Sequence, residues 1–299
     1  MVALPTPTQE IIHPLLREKH IRLFVKRDDL IHPEIMGNKW RKLNYNIEAM
    51  RQEGKKTLIT MGGAFSNHIA ATAAAAKIYA FEAIGVIRGE ELNTKSNTTL
   101  ELASKNGMTL EFISRQNFKD IREKPSLLTD KYPDYYFLPE GGTNDLAIKG
   151  TKEILEEIEI EFDVLATPIG TGGTFAGLLA SSSSEKILGI SSLKGSFMHK
   201  EIADLLKKNS IDRSNYQLST DYHFGGYGKT TSELIDFINW FKEKFNIPLD
   251  PIYTGKSFFG VWDMIKKGKF EKNLKIVLLH TGGLQSISGF NRKNENIIQ

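Results

Sequence analysis

Cysteine is absent from all 299 residues. That excludes disulfides, thiolate nucleophiles and cysteine-ligated metals together, and it fits a cytoplasmic protein. No apolar run approaches the ~18 residues that a bilayer-spanning helix needs, so no membrane partner is expected. The opening residues, MVALPTPTQEIIHPLL, lack a basic segment followed by an apolar run, so no signal peptide is expected. Neither sign of charge prevails, since 39 basic residues against 36 acidic ones leave a net charge of +3. So small an excess gives no reason to expect nucleic acid as a partner. The 7 histidines fall in no metal-ligand spacing such as HExxH. A Gly-x-Ser-x-Gly nucleophile elbow is missing too, as are internal repeats and low-complexity stretches.

What the chain does hold is alternation. Short β-branched or apolar runs at 22–26, 57–61, 82–87, 109–113, 135–138, 163–167, 186–190 and 275–280 read as strands. Amphipathic stretches at 42–52, 67–79, 146–161 and 233–245 read as helices between them. Strands alternating with helices predict βαβ units, hence an α/β protein with mainly parallel sheets. About nine strands exceed what one compact sheet usually holds. Two open twisted sheets flanked by helices are therefore expected, with a smaller α/β domain at 42–136 inserted into a larger one at 1–41 and 137–299.

Four segments carry candidate chemistry. Gly37-Asn38-Lys39 follows the strand ending in Lys26-Arg27-Asp28-Asp29 and opens a helix. A lysine is usually a solvated cation, but a helix start and neighbouring cations lower an amine's pKa, as a nucleophilic lysine requires. Gly62-Gly63-Ala64-Phe65-Ser66-Asn67-His68 sits between a strand and a helix. A tight turn with Ser66 or Asn67 as N-cap explains it, and helix-opening N–H groups also bind carboxylates. Gly170, Thr171, Gly172, Gly173 and Thr174 stand between an apolar strand and a helix, a pattern that lets successive N–H groups close on a phosphate. It is neither a Walker loop nor a Rossmann fingerprint in its usual place. Finally, the strand ending at His280-Thr281-Gly282-Gly283 is, on its own, a buried strand with a glycine turn. Asp28-Asp29 reads as a solvated or salt-bridged surface feature rather than a cation site.

In this order the segments resemble the family of 1-aminocyclopropane-1-carboxylate (ACC) deaminase and D-cysteine desulfhydrase, within the fold type II, tryptophan-synthase-β-like enzymes that use pyridoxal 5′-phosphate. The matching parts are Lys-Arg-Asp-Asp at 26–29, Gly-Asn-Lys-x-Arg-Lys at 37–42, Ser-Asn-His at 66–68, Asp-Pro-Ile-Tyr-Thr-Gly-Lys-Ser at 250–257, and His-Thr-Gly-Gly at 280–283. The resemblance implies that Lys39 forms the Schiff base with the cofactor and that Asn67 meets its 3′-oxygen. Ser66 and the N–H groups beside it, in Asn67 and His68, would hold the substrate carboxylate. The loop from Gly170 to Thr174 would hold the phosphate. Tyr227 and Tyr253 match the family's two active-site tyrosines. A homodimer acting on a small amino acid is expected.

Two positions bear on the substrate. Where the deaminases carry Tyr-Glu-Gly-Lys and His-Leu-Gly-Gly, this chain has Thr254 and Thr281, the pattern of the desulfhydrases. A hydroxyl near the pyridine nitrogen supplies no negative charge, so a weaker electron sink is implied, sufficient where a good leaving group departs. The expectation is β-elimination of D-cysteine to pyruvate, sulfide and ammonia. The alternatives are ACC deamination to 2-oxobutyrate and ammonia, elimination from another β-substituted amino acid such as serine, and a regulatory protein that binds the cofactor without catalysis.

Overall fold

The computed structural model, which describes residues 2–294 and 297–299, forms ten strands and eleven helices among those residues. The chain begins with β1 (Thr8–Ile11), α1 (Pro14–Glu18), β2 (Arg22–Lys26) and α2 (Asn38–Gln52). There follow β3 (Thr57–Gly62), α3 (Asn67–Tyr79), β4 (Glu82–Arg88), α4 (Thr98–Lys105), β5 (Thr109–Ile113), α5 (Arg115–Glu123), β6 (Tyr136–Leu138) and α6 (Asp145–Glu156). Next are β7 (Val164–Ile169), α7 (Gly173–Ser181), β8 (Lys186–Ser191), α8 (Phe197–Lys208) and β9 (Tyr216–Ser219). The last elements are α9 (Ser232–Phe245), α10 (Thr254–Lys266), β10 (Lys275–Leu279) and α11 (Gln285–Lys293). Two compact units result, Met1–Asn38 with Thr151–Gln299, and Lys39–Gly150.

The first unit carries a six-stranded sheet in the order β1-β2-β10-β7-β8-β9. Only β1 runs antiparallel, against β2, and the other pairs are parallel. Every residue of β7 is buried, as strands covered on both faces must be. Alternate residues of the central strands, among them Leu23, Val25, Val164, Ala166, Ile276 and Leu278, pack with Leu234, Phe241, Phe258 and Val261 of α9 and α10. Each of the larger side chains among them contributes about 1.5–3 kcal/mol by leaving water.

Charges buried beside this sheet are all met. Lys26 Nζ donates to Thr6 O at 2.6 Å and Glu157 Oε2 at 3.0 Å, while Thr6 Oγ1 donates to Asp28 Oδ1 at 2.6 Å. Arg27 grips Asp29 with two parallel bonds of 2.9 and 2.7 Å. Such pairing offsets the desolvation cost that an isolated ion would impose, and it accounts for Lys-Arg-Asp-Asp as structure.

The second unit carries four parallel strands in the order β5-β4-β3-β6. Successive residues of β4 feed opposite faces. Ala83 and Ile87 join Ile69, Ala73, Leu100 and Met108 on one side. Ile84 and Val86 join Ile59, Met61, Phe118 and Leu128 on the other. Ten residues of α3 are buried, and the small Ala70–Ala76 side chains let its backbone lie close on the sheet. Helix α2 begins earlier than its apolar pattern suggests, at Asn38, so Lys39 falls within its first turn. Helix α6 ends at Glu156 rather than 161.

Candidate active site

The second unit supplies an amine and a helix N-terminus. Lys39, the second residue of α2, is partly exposed. One turn further on the same face, Lys42 is buried, its Nζ donating to Gly141 O at 3.0 Å and Thr143 Oγ1 at 3.2 Å. Burial, and secondarily the charge on Lys39, hold the Lys42 amine well below its ordinary pKa. The loop after β3 ends in Ser66, whose Oγ accepts from Ile69 N at 3.3 Å and so caps α3. Asn67 and His68 form the first turn, which contains no acidic residue. N–H groups of a first helical turn lack partners within the helix and favour an anion.

His68 faces inward. Thr60 Oγ1 donates its single hydrogen to Leu138 O at 2.8 Å, so its 2.8 Å contact with His68 Nε2 makes that nitrogen the donor. Nδ1 is then a bare acceptor, buried and without a hydrogen-bond partner. Burial first, then Lys39 and Lys42, hold the ring well below its ordinary pKa of 6.5. The ring therefore stays neutral in the folded protein at acidities where the unfolded chain takes up a proton. Stability from this group is full above about pH 6.5 and falls, as pH drops toward the folded pKa, by about 1.4 kcal/mol per pH unit. Urea unfolding at about pH 7 and pH 5.5 should show wild type losing more stability than His68→Gln by about that amount. Equal losses in the two proteins would mean that His68 does not set the acid sensitivity.

The first unit holds the glycine loop at 170–174 and the two tyrosines. Gly172 caps α7 with no side-chain hydrogen bond, and the helix has no acidic residue in its first turn. Its φ of +82° suits glycine, and a Cβ there would lie 2.6 Å from Ile202 Cδ1, on the side of α8. Asn38 Nδ2 donates to Thr174 Oγ1 at 2.7 Å, tying the residue before Lys39 to this loop. A Cβ on Gly170 would stand 3.1 Å from the Tyr253 ring, so glycine lets that ring rest on the loop. Tyr253 and Tyr227 meet edge to face, with centroids 6.2 Å apart.

The two threonines are both buried. Thr254 Oγ1 donates to Asp250 Oδ1 at 2.7 Å and accepts from Asp250 N at 2.9 Å, so its hydroxyl is used within the turn. Thr281 lies against Gly37: a Cβ on that glycine would be 2.1 Å from Thr281 O. Its neighbour His280 bonds through Nε2 to Pro248 O at 2.7 Å and through Nδ1 to Gly282 N at 3.2 Å.

Two further residues escaped sequence reading. Asp250 is fully buried and accepts from the N–H groups of Ile252, Tyr253 and Thr254 as well as from the Thr254 hydroxyl. Burial raises its pKa, and these bonds oppose the rise. An aspartate bonding to N–H groups two and three residues on is a recognisable turn signal. Lys256 is the other: buried, with Nζ on His223 O and Gly226 O. The sequence marks it only as part of the matching segment at 250–257 and shows none of these contacts.

A helix N-terminus with no side-chain cap and no acidic residue in its first turn fits a phosphate group. Among the described residues no cluster of His, Asp and Glu could hold a metal ion, and no helix is long and apolar enough to cross a membrane. The family model for pyridoxal-phosphate dependent enzymes matches residues 2–282. A Pyrococcus horikoshii protein provisionally named 1-aminocyclopropane-1-carboxylate deaminase is 33% identical over 95% of this chain and 91% of its own length. The D-cysteine desulfhydrase of Klebsiella pneumoniae is 28% identical over 97% and 95%. A crystal structure of an ACC deaminase homologue superposes with a TM-score of 0.83 at 30% identity, covering 99% of this chain and 94% of that one. A hydrogen sulfide-producing enzyme from Fusobacterium nucleatum shares the fold, with a TM-score of 0.69 at 18% identity.

Proposed function

The chain belongs to the pyridoxal-phosphate-dependent enzymes, and on that premise we propose that it is a cytoplasmic, homodimeric lyase converting D-cysteine and water to pyruvate, sulfide and ammonia. The cofactor, when bound, supplies an aldehyde for the amine and an electron sink for charge at Cα. Lys39 would hold it, the N–H groups from Gly170 to Thr174 would receive its phosphate, and Asn67 would meet its 3′-oxygen. Ser66 with the N–H groups of Asn67 and His68 orients the substrate carboxylate. The Lys39 amine would take the proton from the substrate Cα. The Cβ–S bond then breaks and the thiolate leaves with the electron pair. Tyr227 and Tyr253 stand as the groups able to give the departing sulfur a proton.

One observation carries the choice of elimination. Position 254 is a threonine whose hydroxyl is committed to Asp250, and the Asp250 carboxylate is itself occupied by four donors. The start of α10 thus offers no free carboxylate to hold a proton on a pyridine nitrogen. Ring opening of ACC, which has no Cα proton, needs the stronger sink, although the Pyrococcus horikoshii name favours that reaction.

Purified holoenzyme given D-cysteine, L-cysteine and ACC in turn separates these readings by product. D-Cysteine should give pyruvate and sulfide with a kcat/KM at least about tenfold above that for 2-oxobutyrate from ACC, a difference of ~1.4 kcal/mol between barriers. Faster release of 2-oxobutyrate from ACC would move the chain to the deaminases.

A further inference from the structure

Lys256, in the first turn of α10, has a side chain 0% exposed. An ammonium so placed is costly unless hydrogen-bonded, and its Nζ donates to His223 O at 2.9 Å and Gly226 O at 2.8 Å. Burial lowers its pKa to about 8, with Asp250 pulling the other way. The two carbonyls belong to the glycine-rich turn that carries Tyr227. Within it Gly226 N donates to His223 O, Gly225 N to His223 Nδ1, and Lys229 N to Gly226 O. Phe224, Gly225, Gly226 and Gly228 have φ of +50°, +92°, +116° and +67°. Glycine-rich backbone in these regions has many other conformations open to it once released. Phe224 packs edge-on against Phe259, and Tyr222 bonds to Asp263 at 2.9 Å, but both anchors precede the glycines.

Tyr227 follows Gly226 directly. Tyr253 stands three residues before Lys256, at the N-terminus of the same helix. One side chain therefore links the helix start bearing one tyrosine to the turn bearing the other. We propose that Lys256 is the positioning residue that holds Tyr227 against Tyr253 by clamping the carbonyls of His223 and Gly226. The proposal rests on Tyr227 acting in the reaction, as inferred above.

The test uses holoenzyme turning over D-cysteine. Lys256→Met keeps the bulk and removes the donors. Its kcat should fall about 10–100-fold, the scale on which misplacing a reacting group by about 1 Å acts, while KM changes less than about threefold. Hydrogen exchange at 224–229 should quicken without a rise elsewhere in the sheet. Lys256→Gln, which retains two N–H donors, should recover part of the loss, and it serves if the methionine variant fails to fold. In a Tyr227→Phe background, Lys256→Met should lower kcat by less than about twofold more, since both changes remove one function. Exchange at 224–229 that stays as in wild type would overturn the clamp. So would independent, multiplying losses in the double variant. A Tyr227→Phe enzyme with wild-type turnover would instead overturn the role of Tyr227, and the proposal with it.

Discussion

Lys39→Ala should lose turnover by about 10³-fold or more, within what a positioned proton-transfer group alone contributes, and should no longer hold pyridoxal phosphate covalently. Borohydride reduction of the wild-type holoenzyme followed by peptide mapping should place the pyridoxyl group on Lys39. Neither Lys42 nor Lys256 can take over. Lys42 is buried with its Nζ on Gly141 O and Thr143 Oγ1, and Lys256 is buried with its Nζ on His223 O and Gly226 O. Each would have to abandon two hydrogen bonds and leave two carbonyl or hydroxyl acceptors unmatched, at about 1–3 kcal/mol apiece. Of the three, only Lys39 is partly exposed. A pyridoxyl label on Lys42 or Lys256, or an alanine variant of near wild-type rate, would reject the assignment.

The largest loss of stability should come from Gly37→Ala. The residue has a φ of +59°, and a Cβ built on it would lie 2.1 Å from Thr281 O and 2.3 Å from Thr281 C. On the facing segment just past β10, a Cβ on Gly282 would lie 2.7 Å from Met36 Cβ. Two backbones thus touch where α2 is about to begin and where β10 has just ended. A left-handed backbone costs an alanine about 1–2 kcal/mol, and parting two backbones adds at least the about 1–3 kcal/mol typical of overpacking. Gly54 gives the control: its φ is +71°, yet nothing lies within 4 Å of its would-be Cβ. Gly54→Ala should therefore lose only the conformational part. Denaturant melts of both variants, read against wild type, should put Gly37→Ala lower by about 2 kcal/mol or more. Equal losses would show that the close approach carries no energetic weight.

Glycine 37 also shows what sequence can convey. Its neighbours Asn38 and Lys39 stand out as a motif, but the reason for glycine lies some 244 positions downstream, at Thr281. Central strands were legible because burial on both faces forces apolar runs, as in β3, β4, β7 and β10. β1 and β9 were not: TQEI and YQLS are short edge strands, half exposed, and their polar residues erase the pattern. Helix α10 hid behind its start, Thr-Gly-Lys-Ser, which looks like loop and becomes helix because Asp250 collects its first N–H groups. The site divided along the same line. The candidate residues sit in turns with a recognisable order, whereas Lys256 bonds to carbonyls 30 and 33 residues away, which its place in the segment at 250–257 does not encode.

The strand order has a consequence for how the chain is made. β2 hydrogen-bonds to β1 on one side and to β10 on the other, and β10 alone joins it to β7. A ribosome delivers residues 22–26 long before residues 275–279. Until residues 275–279 emerge, β1-β2 and β7-β8-β9 have no strand to join them, and each is left with an open edge. Residues 39–150 form a continuous unit and are complete well before that. Such separation in sequence slows folding through the entropy of closing long loops. The smaller unit can then settle during synthesis, while the larger waits for its final strand, with open edges of the kind that chaperones guard.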